Sequence, residues 1–109
     1  MAKAKTAKKT TKKTAEKKSH VPKGIPQAPE QHVFVLLDGR RLRDVKELAD
    51  TLDSMADHIY GHHVNGGRND FAQWIQDIFQ EHTLADSLRK SHNKHHAQII
   101  LYRYILDRI

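Results

Sequence analysis

The chain has 109 residues, a formal net charge of +6 at pH 7 and no cysteine. The absence of cysteine excludes disulfides, thiolate zinc sites and cysteine nucleophiles, and it fits a reducing compartment. A chain of this length forms one small domain with little stability in reserve, which argues against a large buried active-site cavity.

Neither a membrane span nor a signal peptide is expected. No stretch approaches the roughly 18 consecutive apolar residues that a membrane-spanning helix needs. The basic residues near the start are followed by Pro22 and Pro26 instead of an apolar stretch. We therefore expect an intracellular, cytoplasmic protein.

The positive charge is concentrated in residues 1–20, which hold eight lysines and a single acid, Glu16, for a net charge of +7. The rest of the chain sums to −1. The segment has no aromatic or branched aliphatic side chain, so it has nothing to bury in a core. We predict a disordered basic arm over residues 1–20, whose lysines are Lys3, Lys5, Lys8, Lys9, Lys12, Lys13, Lys17 and Lys18.

The arm is followed by a proline-containing linker over residues 21–31. Pro22, Pro26 and Pro29 each fix their own φ angle and bias the preceding residue away from helix. The linker should therefore be extended and hold the arm away from a globular domain over residues 32–109.

The domain should begin with a strand. Residues 32–37, HVFVLL, are rich in β-branched and aromatic side chains and end at Asp38-Gly39, a pair that favours a tight turn. A very short second strand over residues 40–42 would complete a hairpin. A lone hairpin is only marginally stable unless helices cover one of its faces.

Two helices are expected next. Asp44 and Glu47 form a capping-box pattern, and Leu48, Leu52 and Met55 follow at helical spacing. Residues 57–63 should form a further short helical turn, which Asn65, Gly66 and Gly67 interrupt.

A third helix should start at Asn69 or Asp70 as N-cap and carry a buried stripe of five apolar residues, Phe71, Trp74, Ile75, Ile78 and Phe79. Thr83 is the expected N-cap of a fourth helix. A last helix should open at Ser91. The fold class is therefore mainly α, with a short strand or hairpin.

The last helix contains the nearly continuous apolar run QIILYRYIL over residues 98–106. Three interpretations fit: a helix packed on more than one side, a late strand paired with residues 33–37, or part of a dimer interface. We favour the helix because residues 93–98 lack turn signals.

The chain resembles a small, functionally uncharacterised domain of archaeal and bacterial proteins. The resemblance covers roughly residues 33–90 and rests on HHVN at residues 62–65 and NDFAxWIxDIF at residues 69–79. It implies a recurring compact module that is mostly helical, and it carries over no catalytic residue. The basic arm and the apolar carboxyl-terminal segment lie outside it.

The arm is best explained as a segment that neutralises nucleic-acid phosphates. If about six lysines engage phosphates, counterion release predicts a log-log salt slope of roughly −5. The arm has no arginine, asparagine or aromatic residue to read or stack on bases, so binding should be independent of sequence. A solubilising tail is the simpler alternative, and no apolar face supports membrane binding.

A second basic cluster follows the first strand. If the arm docks on a duplex, Arg40, Arg41, Arg43 and Lys46 are the folded-domain residues expected to contact the backbone beside it. The alternative is a solvated hairpin face whose charges Asp38 and Asp44 balance.

Nine histidines raise the question of a metal site. His58 and His62, and likewise His92, His95 and His96, have spacings that can place two ligands on one helical face. Hydrogen bonding near a helix end for His62 and His63, and solvent exposure for the later group, explain them more simply. We therefore predict no metal and no cofactor.

No catalytic constellation is present. The acids Asp50, Asp53, Asp57 and Asp77 have no required partner at catalytic spacing, and Gly66-Gly67 matches no phosphate-binding fingerprint. Phe71 and Trp74 are better explained as residues of the core stripe than as platforms on which bases stack.

The sequence thus predicts a non-enzymatic, non-sequence-specific nucleic-acid-binding protein, a small chromosomal architectural or ribosome-associated factor. Its candidate partners are DNA or RNA backbones and a second copy through the carboxyl-terminal segment, with no membrane and no small-molecule substrate. The alternatives are a protein-interaction module with a solubilising tail and a histidine-ligated metal-binding protein.

Overall fold

A computed structural model describes residues 24–109, so the predicted arm and the first part of the linker lie outside the described residues. The fold is mainly helical with a hairpin near its start, as predicted, and it has a second small antiparallel strand pair as well. After a short 3₁₀ turn at Glu30–His32, its elements are β1 (Phe34–Val35), β2 (Arg41–Leu42), α1 (Val45–Leu52), α2 (Asp57–His63), β3 (Val64–Asn65), β4 (Arg68–Asn69), α3 (Asp70–Trp74), a π-helical segment (Ile75–Phe79), α4 (His82–Arg89) and α5 (Lys94–Leu106).

The first hairpin is confirmed, although its strands are short. Phe34 pairs with Leu42 across the two strands. Its turn is closed by a hydrogen bond from the Gly39 N–H to the Leu36 carbonyl at 2.8 Å. Gly39 has φ 94°, which side-chain-bearing residues rarely adopt. The turn therefore requires glycine here, which is why the Asp38-Gly39 pair predicted it correctly.

The capping of α1 is also confirmed. The Asp44 carboxylate accepts a hydrogen bond from the Glu47 N–H at 2.8 Å. The Glu47 carboxylate accepts one from the Arg43 N–H at 2.7 Å, one residue before the N-cap. The helix ends at Leu52, so Met55 is buried in the following loop and not in the helix.

The segment after α2 forms a second hairpin that the sequence did not predict. β3 pairs with β4 around the Gly66-Gly67 turn, and two-residue strands leave no alternating apolar pattern. The cap that follows was predicted correctly, because the Asn69 side chain accepts from the Ala72 N–H at 3.0 Å.

The predicted third helix is not α-helical throughout. It continues from α3 into the π-helical segment and ends at Gln80, whose φ of 56° is left-handed. The wider π turn places residues five apart above one another, and the Phe79 ring accordingly meets the Trp74 ring at a centroid distance of 5.1 Å. Phe71 and Trp74 are buried in the core, as predicted.

The expected starts of the last two helices were wrong. α4 begins at His82, so Thr83 lies inside its first turn and does not cap it. α5 is capped by Asn93 and not by Ser91, because the Asn93 side chain accepts from the His96 N–H at 2.8 Å. In α1, α3 and α5 alike, the cap side chain accepts a hydrogen bond from the backbone N–H three residues later.

The apolar run at residues 98–106 is helical, which excludes the strand interpretation. α5 packs most extensively on α1, where the Gln98 side chain donates to the Ala49 carbonyl at 2.9 Å and Lys94 reaches the Met55 carbonyl at 2.5 Å. None of the helices within residues 24–109 is long and apolar enough to cross a membrane.

The packed unit extends into the predicted linker. Ile25 and Ala28 are buried in the same core cluster as the helices. The Ala28 N–H donates to the Arg43 carbonyl at 2.7 Å, which ties this segment to the end of β2. Part of the predicted linker, at Ile25 and Ala28, therefore packs with the domain.

Removal of the Asp44 side chain should measure how much the N-cap of α1 contributes to the free energy of unfolding. We expect Asp44→Ala to lower the free energy of unfolding by about 1–2 kcal/mol, the usual cost of losing an N-cap side chain. Asp44→Asn keeps an oxygen acceptor for the Glu47 N–H and should lose less than half as much. Urea denaturation followed by circular dichroism measures both, and equal losses would show that charge matters here and the cap does not.

Candidate nucleic-acid interface

The arm is attached at a defined corner of the domain. Gly24 lies against the backbone of Arg108, just beyond the end of α5, and a Cβ at this position would stand 2.4 Å from the Arg108 carbonyl oxygen. Only glycine fits such a contact without a shift of the backbone. The described chain therefore begins at this corner, and residues 1–23 are joined to the domain there.

The three arginines of the predicted basic cluster all meet carboxylates. Arg40 forms an ion pair with Asp38 at 2.9 Å. Arg41 is paired with Glu30, and Arg43 lies 4.0 Å from the other oxygen of the same carboxylate. The Arg40 backbone N–H, more than its side chain, lowers the pKa of Asp38. These two carboxylates balance the arginines of the cluster.

Lys46 is paired as well. Its ammonium lies 2.7 Å from the Asp50 carboxylate, and this hydrogen bond raises the pKa of Lys46. Burial alone would raise the pKa of Asp50, but hydrogen bonds from Lys46 and Tyr102 outweigh it and the pKa is lowered. The hydrogen bond from the Tyr102 hydroxyl to Asp50 also raises the pKa of Tyr102 to about 12.

The charges of the hairpin face are thus balanced, as the alternative of a solvated hairpin face predicted. One of the balancing acids differs from the prediction. Asp44, expected as a surface counter-charge, is buried at the start of α1, and Glu30 takes that role. Residues 24–109 hold ten basic and twelve acidic side chains in all. Exposed ion pairs contribute at most about 1 kcal/mol each, so a phosphate can replace a carboxylate here but gains little by doing so.

The Gly66-Gly67 turn borders a polar cleft of about 340 Å³ against the end of α4. Two arginines line it, but Arg68 is paired with Asp70 at 3.1 Å and Arg89 with Asp86 at 3.1 Å. This supports the prediction that the glycines form a structural turn.

A second groove, of about 530 Å³, lies between α4 and α5 beside the arm's attachment corner. In it the Tyr104 hydroxyl donates to Glu81 at 2.7 Å, and Arg108 donates to the same carboxylate at 2.6 Å. Burial and the bond to Glu81 raise the pKa of Tyr104 to about 12. The sequence did not predict this network, because the spacing of the three residues along the chain gives no pattern.

His63 has a structural role. Its Nε2 accepts a hydrogen bond from the Leu37 N–H at 3.1 Å, so its Nδ1 carries the proton and donates to Asp70 at 3.0 Å. The buried imidazole therefore links the tip of the first hairpin to the start of α3. This confirms the prediction of hydrogen bonding near the end of α2.

The other histidines form no metal site within the described part of the chain. No group of three or more potential ligands comes together there. His92 and His96 stack at a centroid distance of 4.9 Å, and His96 Nδ1 accepts from the His92 N–H at 3.0 Å. That ring nitrogen therefore already has a hydrogen-bond partner, the His92 N–H just before α5.

Comparison with known proteins gives no match: neither a family model, nor a curated protein, nor a solved structure matches this chain. The resemblance of residues 33–90 to a small archaeal and bacterial domain therefore stays a prediction. Function has to be argued from the charges and contacts of this chain alone.

Substitution of the histidines should separate structural from metal-binding roles. We expect His63→Leu to lower the free energy of unfolding by about 1–3 kcal/mol, because it removes both hydrogen bonds of the buried imidazole, the one from the Leu37 N–H and the one to Asp70. His63→Gln offers both an acceptor and a donor and should recover part of that loss.

The matched control is a double substitution, His92→Gln with His96→Gln, which should change stability little. Zinc should raise the Tm of none of these proteins when the purification tag contains no histidine. A zinc-dependent rise in Tm that the double substitution abolishes would contradict the structural assignment.

Proposed function

We propose that this protein binds nucleic acids through their phosphate backbone, without sequence specificity, and that the lysine-rich segment at residues 1–20 supplies the affinity. One observation carries the proposal: the segment has a charge of +7, whereas residues 24–109 have more acids than bases. The cations of the hairpin face are also paired with carboxylates. A polyanion is therefore attracted by the segment and not by the domain.

Lysine suits non-specific attraction to phosphates. Each lysine that contacts a phosphate releases condensed counterions, so affinity depends steeply on salt concentration. An ammonium group at the end of a flexible side chain is a point charge and does not make the bidentate contacts that distinguish base edges. Phosphate charge is common to DNA and RNA, so both are expected ligands.

The domain supplies a folded anchor for the segment. We infer roles of the architectural or ribosome-associated kind, in which a small body is held on a nucleic acid by a cationic extension. Association with the nucleoid or the ribosome follows from that inference. The hairpin cations Arg40, Arg41, Arg43 and Lys46 would make secondary contacts after exchanging a carboxylate for a phosphate.

A salt titration of binding tests the role of the segment. The full chain should bind duplex DNA and structured RNA with a log-log salt slope of roughly −5. A protein that begins at Val21 should lose most of this slope and most of the affinity at low salt. Gel shifts at several salt concentrations measure both quantities.

Two full-length controls separate charge from length. Replacement of the eight lysines by glutamine should reproduce the truncation, and replacement by arginine should preserve binding. If the truncated protein binds as tightly as the full chain, with the same salt dependence, the segment is not the binding element.

The hairpin cations should matter far less than the segment. Simultaneous change of Arg40, Arg41, Arg43 and Lys46 to glutamine is expected to weaken DNA binding less than about fivefold, because their ion pairs already satisfy these groups. The matched opposite variant, Glu30→Gln with Asp38→Asn and Asp50→Asn, frees the cations and should strengthen binding. A loss from the first variant as large as that of the truncation would place the interface on the domain.

A further inference from the structure

The outer face of α5 is apolar and exposed. Ile99 is 39% exposed, Tyr102 37%, Leu106 65% and Ile109, just past the helix, 70%. The inner face is separate, because Ala97, Leu101 and Ile105 are buried against the rest of the domain. A surface helix of a globular protein normally presents polar residues to solvent, so this second stripe requires an explanation.

The spacing of the outer stripe is that of a coiled-coil seam. Within α5, His95, Ile99, Tyr102 and Leu106 are separated by steps of four, three and four residues. Alternating steps of three and four define the a and d positions of a heptad repeat, through which a helix pairs with another helix. We name this set the α5 seam. Its spacing predicts a helical occupant.

We propose that the α5 seam pairs with the α5 seam of a second copy of this chain, in a parallel arrangement. The lysine-rich segment is not a suitable occupant, because residues 1–20 contain no aromatic or branched aliphatic side chain to fill a and d positions. A second copy offers the same apolar positions at the same spacing. A two-fold axis makes such a surface complementary to itself.

The charges beside the seam select the parallel direction. On one flank Gln98 occupies position g and donates to Asp53 at 3.4 Å. On the other flank Arg103 occupies position e, is exposed, and forms no ion pair with a carboxylate of residues 24–109. In a parallel pair the g flank of one helix faces the e flank of the other. Arg103 then meets the side that carries Asp53.

An antiparallel pair would place like flanks together. The flank with Asp50 and Asp53 would face its own copy, and Arg103 would face the e flank of the partner. Like charges across an interface are unfavourable. The parallel arrangement therefore satisfies both the apolar seam and the charges that border it.

The arrangement has a consequence for binding, which rests on the proposed function. Gly24 lies beside Arg108 at the carboxyl-terminal end of α5. In a parallel pair these two corners lie at the same end of the dimer, so both lysine-rich segments leave from one side. Two linked cationic segments bind one polyanion with greater avidity than either alone.

Sedimentation equilibrium of the full chain tests the dimer without nucleic acid. The unsubstituted protein should show a concentration-dependent dimer, and Ile99→Ser with Leu106→Ser should be monomeric with an unchanged circular dichroism spectrum. The matched control removes two equally exposed apolar side chains elsewhere, Val35→Ser with Leu37→Ser, which are 53% and 51% exposed. This control should remain dimeric. An unsubstituted protein that is monomeric at all concentrations would overturn the proposal.

Cysteine cross-linking tests the direction, since the chain has no cysteine of its own. In a parallel pair the two copies of position 106 face each other, so Leu106→Cys should form a disulfide dimer under mild oxidation, and Ile99→Cys should do the same. In an antiparallel pair a positions face d positions of the partner, so efficient cross-linking only in a mixture of Leu106→Cys with Tyr102→Cys would refute the parallel arrangement.

The avidity is measured separately from the dimer. The monomeric double variant should bind long duplex DNA at least about tenfold more weakly than the unsubstituted protein. Equal affinity would overturn the coupling between pairing and binding but not the dimer. Failure of the proposed function would instead abolish binding of both proteins and leave sedimentation unchanged.

Discussion

Asp44 is the residue on which the arrangement of the first half of the domain depends. Its carboxylate is buried, and a buried charge is tolerated only when it is hydrogen-bonded. It accepts from the Glu47 N–H at 2.8 Å and from the Gln27 side chain at 3.3 Å. The residues before the hairpin and the start of α1 are therefore held at one point, where Ala28 also bonds to Arg43. The position of Glu30 near the arginines follows from that junction.

This junction links the fold to the distribution of charge. Because the segment before the hairpin is packed, Glu30 lies beside Arg41 and Arg43 and neutralises them. The domain thus has little attraction left for a polyanion. At the start of the described residues, Gly24 lies against Arg108, just beyond the end of α5, and not beside the hairpin. These contacts support the proposal that the segment, and not the domain, supplies the affinity for a polyanion.

The features that the sequence predicted correctly depend on neighbouring residues. The Asp38-Gly39 turn, the Asp44 cap and the Asn69 cap are each set within three or four positions of the chain, so their patterns are visible without a fold. The choice of Asn93 over Ser91 was missed because both residue types cap helices equally well. Only the packing of α5 on α1 decides which turn becomes its first.

The features that were missed depend on residues far apart in the chain. Burial of Ile25 requires the whole core, and a proline-rich context gave it the pattern of a linker. The partners of His63 come from the hairpin 26 residues earlier and from Asp70. No local rule connects them. Of the acids that pair with the four cations, Asp38 and Asp50 lie close to them in the sequence. Glu30 lies farther away, and its pairing could not be predicted from the sequence.

The apolar run of α5 shows why periodicity alone left its structure open. A helix with one buried stripe gives a clear period of 3.6 residues. Here the inner stripe of Ala97, Leu101 and Ile105 and the outer stripe of Ile99, Tyr102 and Leu106 interleave, so their periods overlap and the run becomes nearly continuous. A sequence that reads as ambiguous between strand and helix is, in the fold, a helix with two apolar faces. The domain covers one face, and the proposed pairing with a second copy would cover the other.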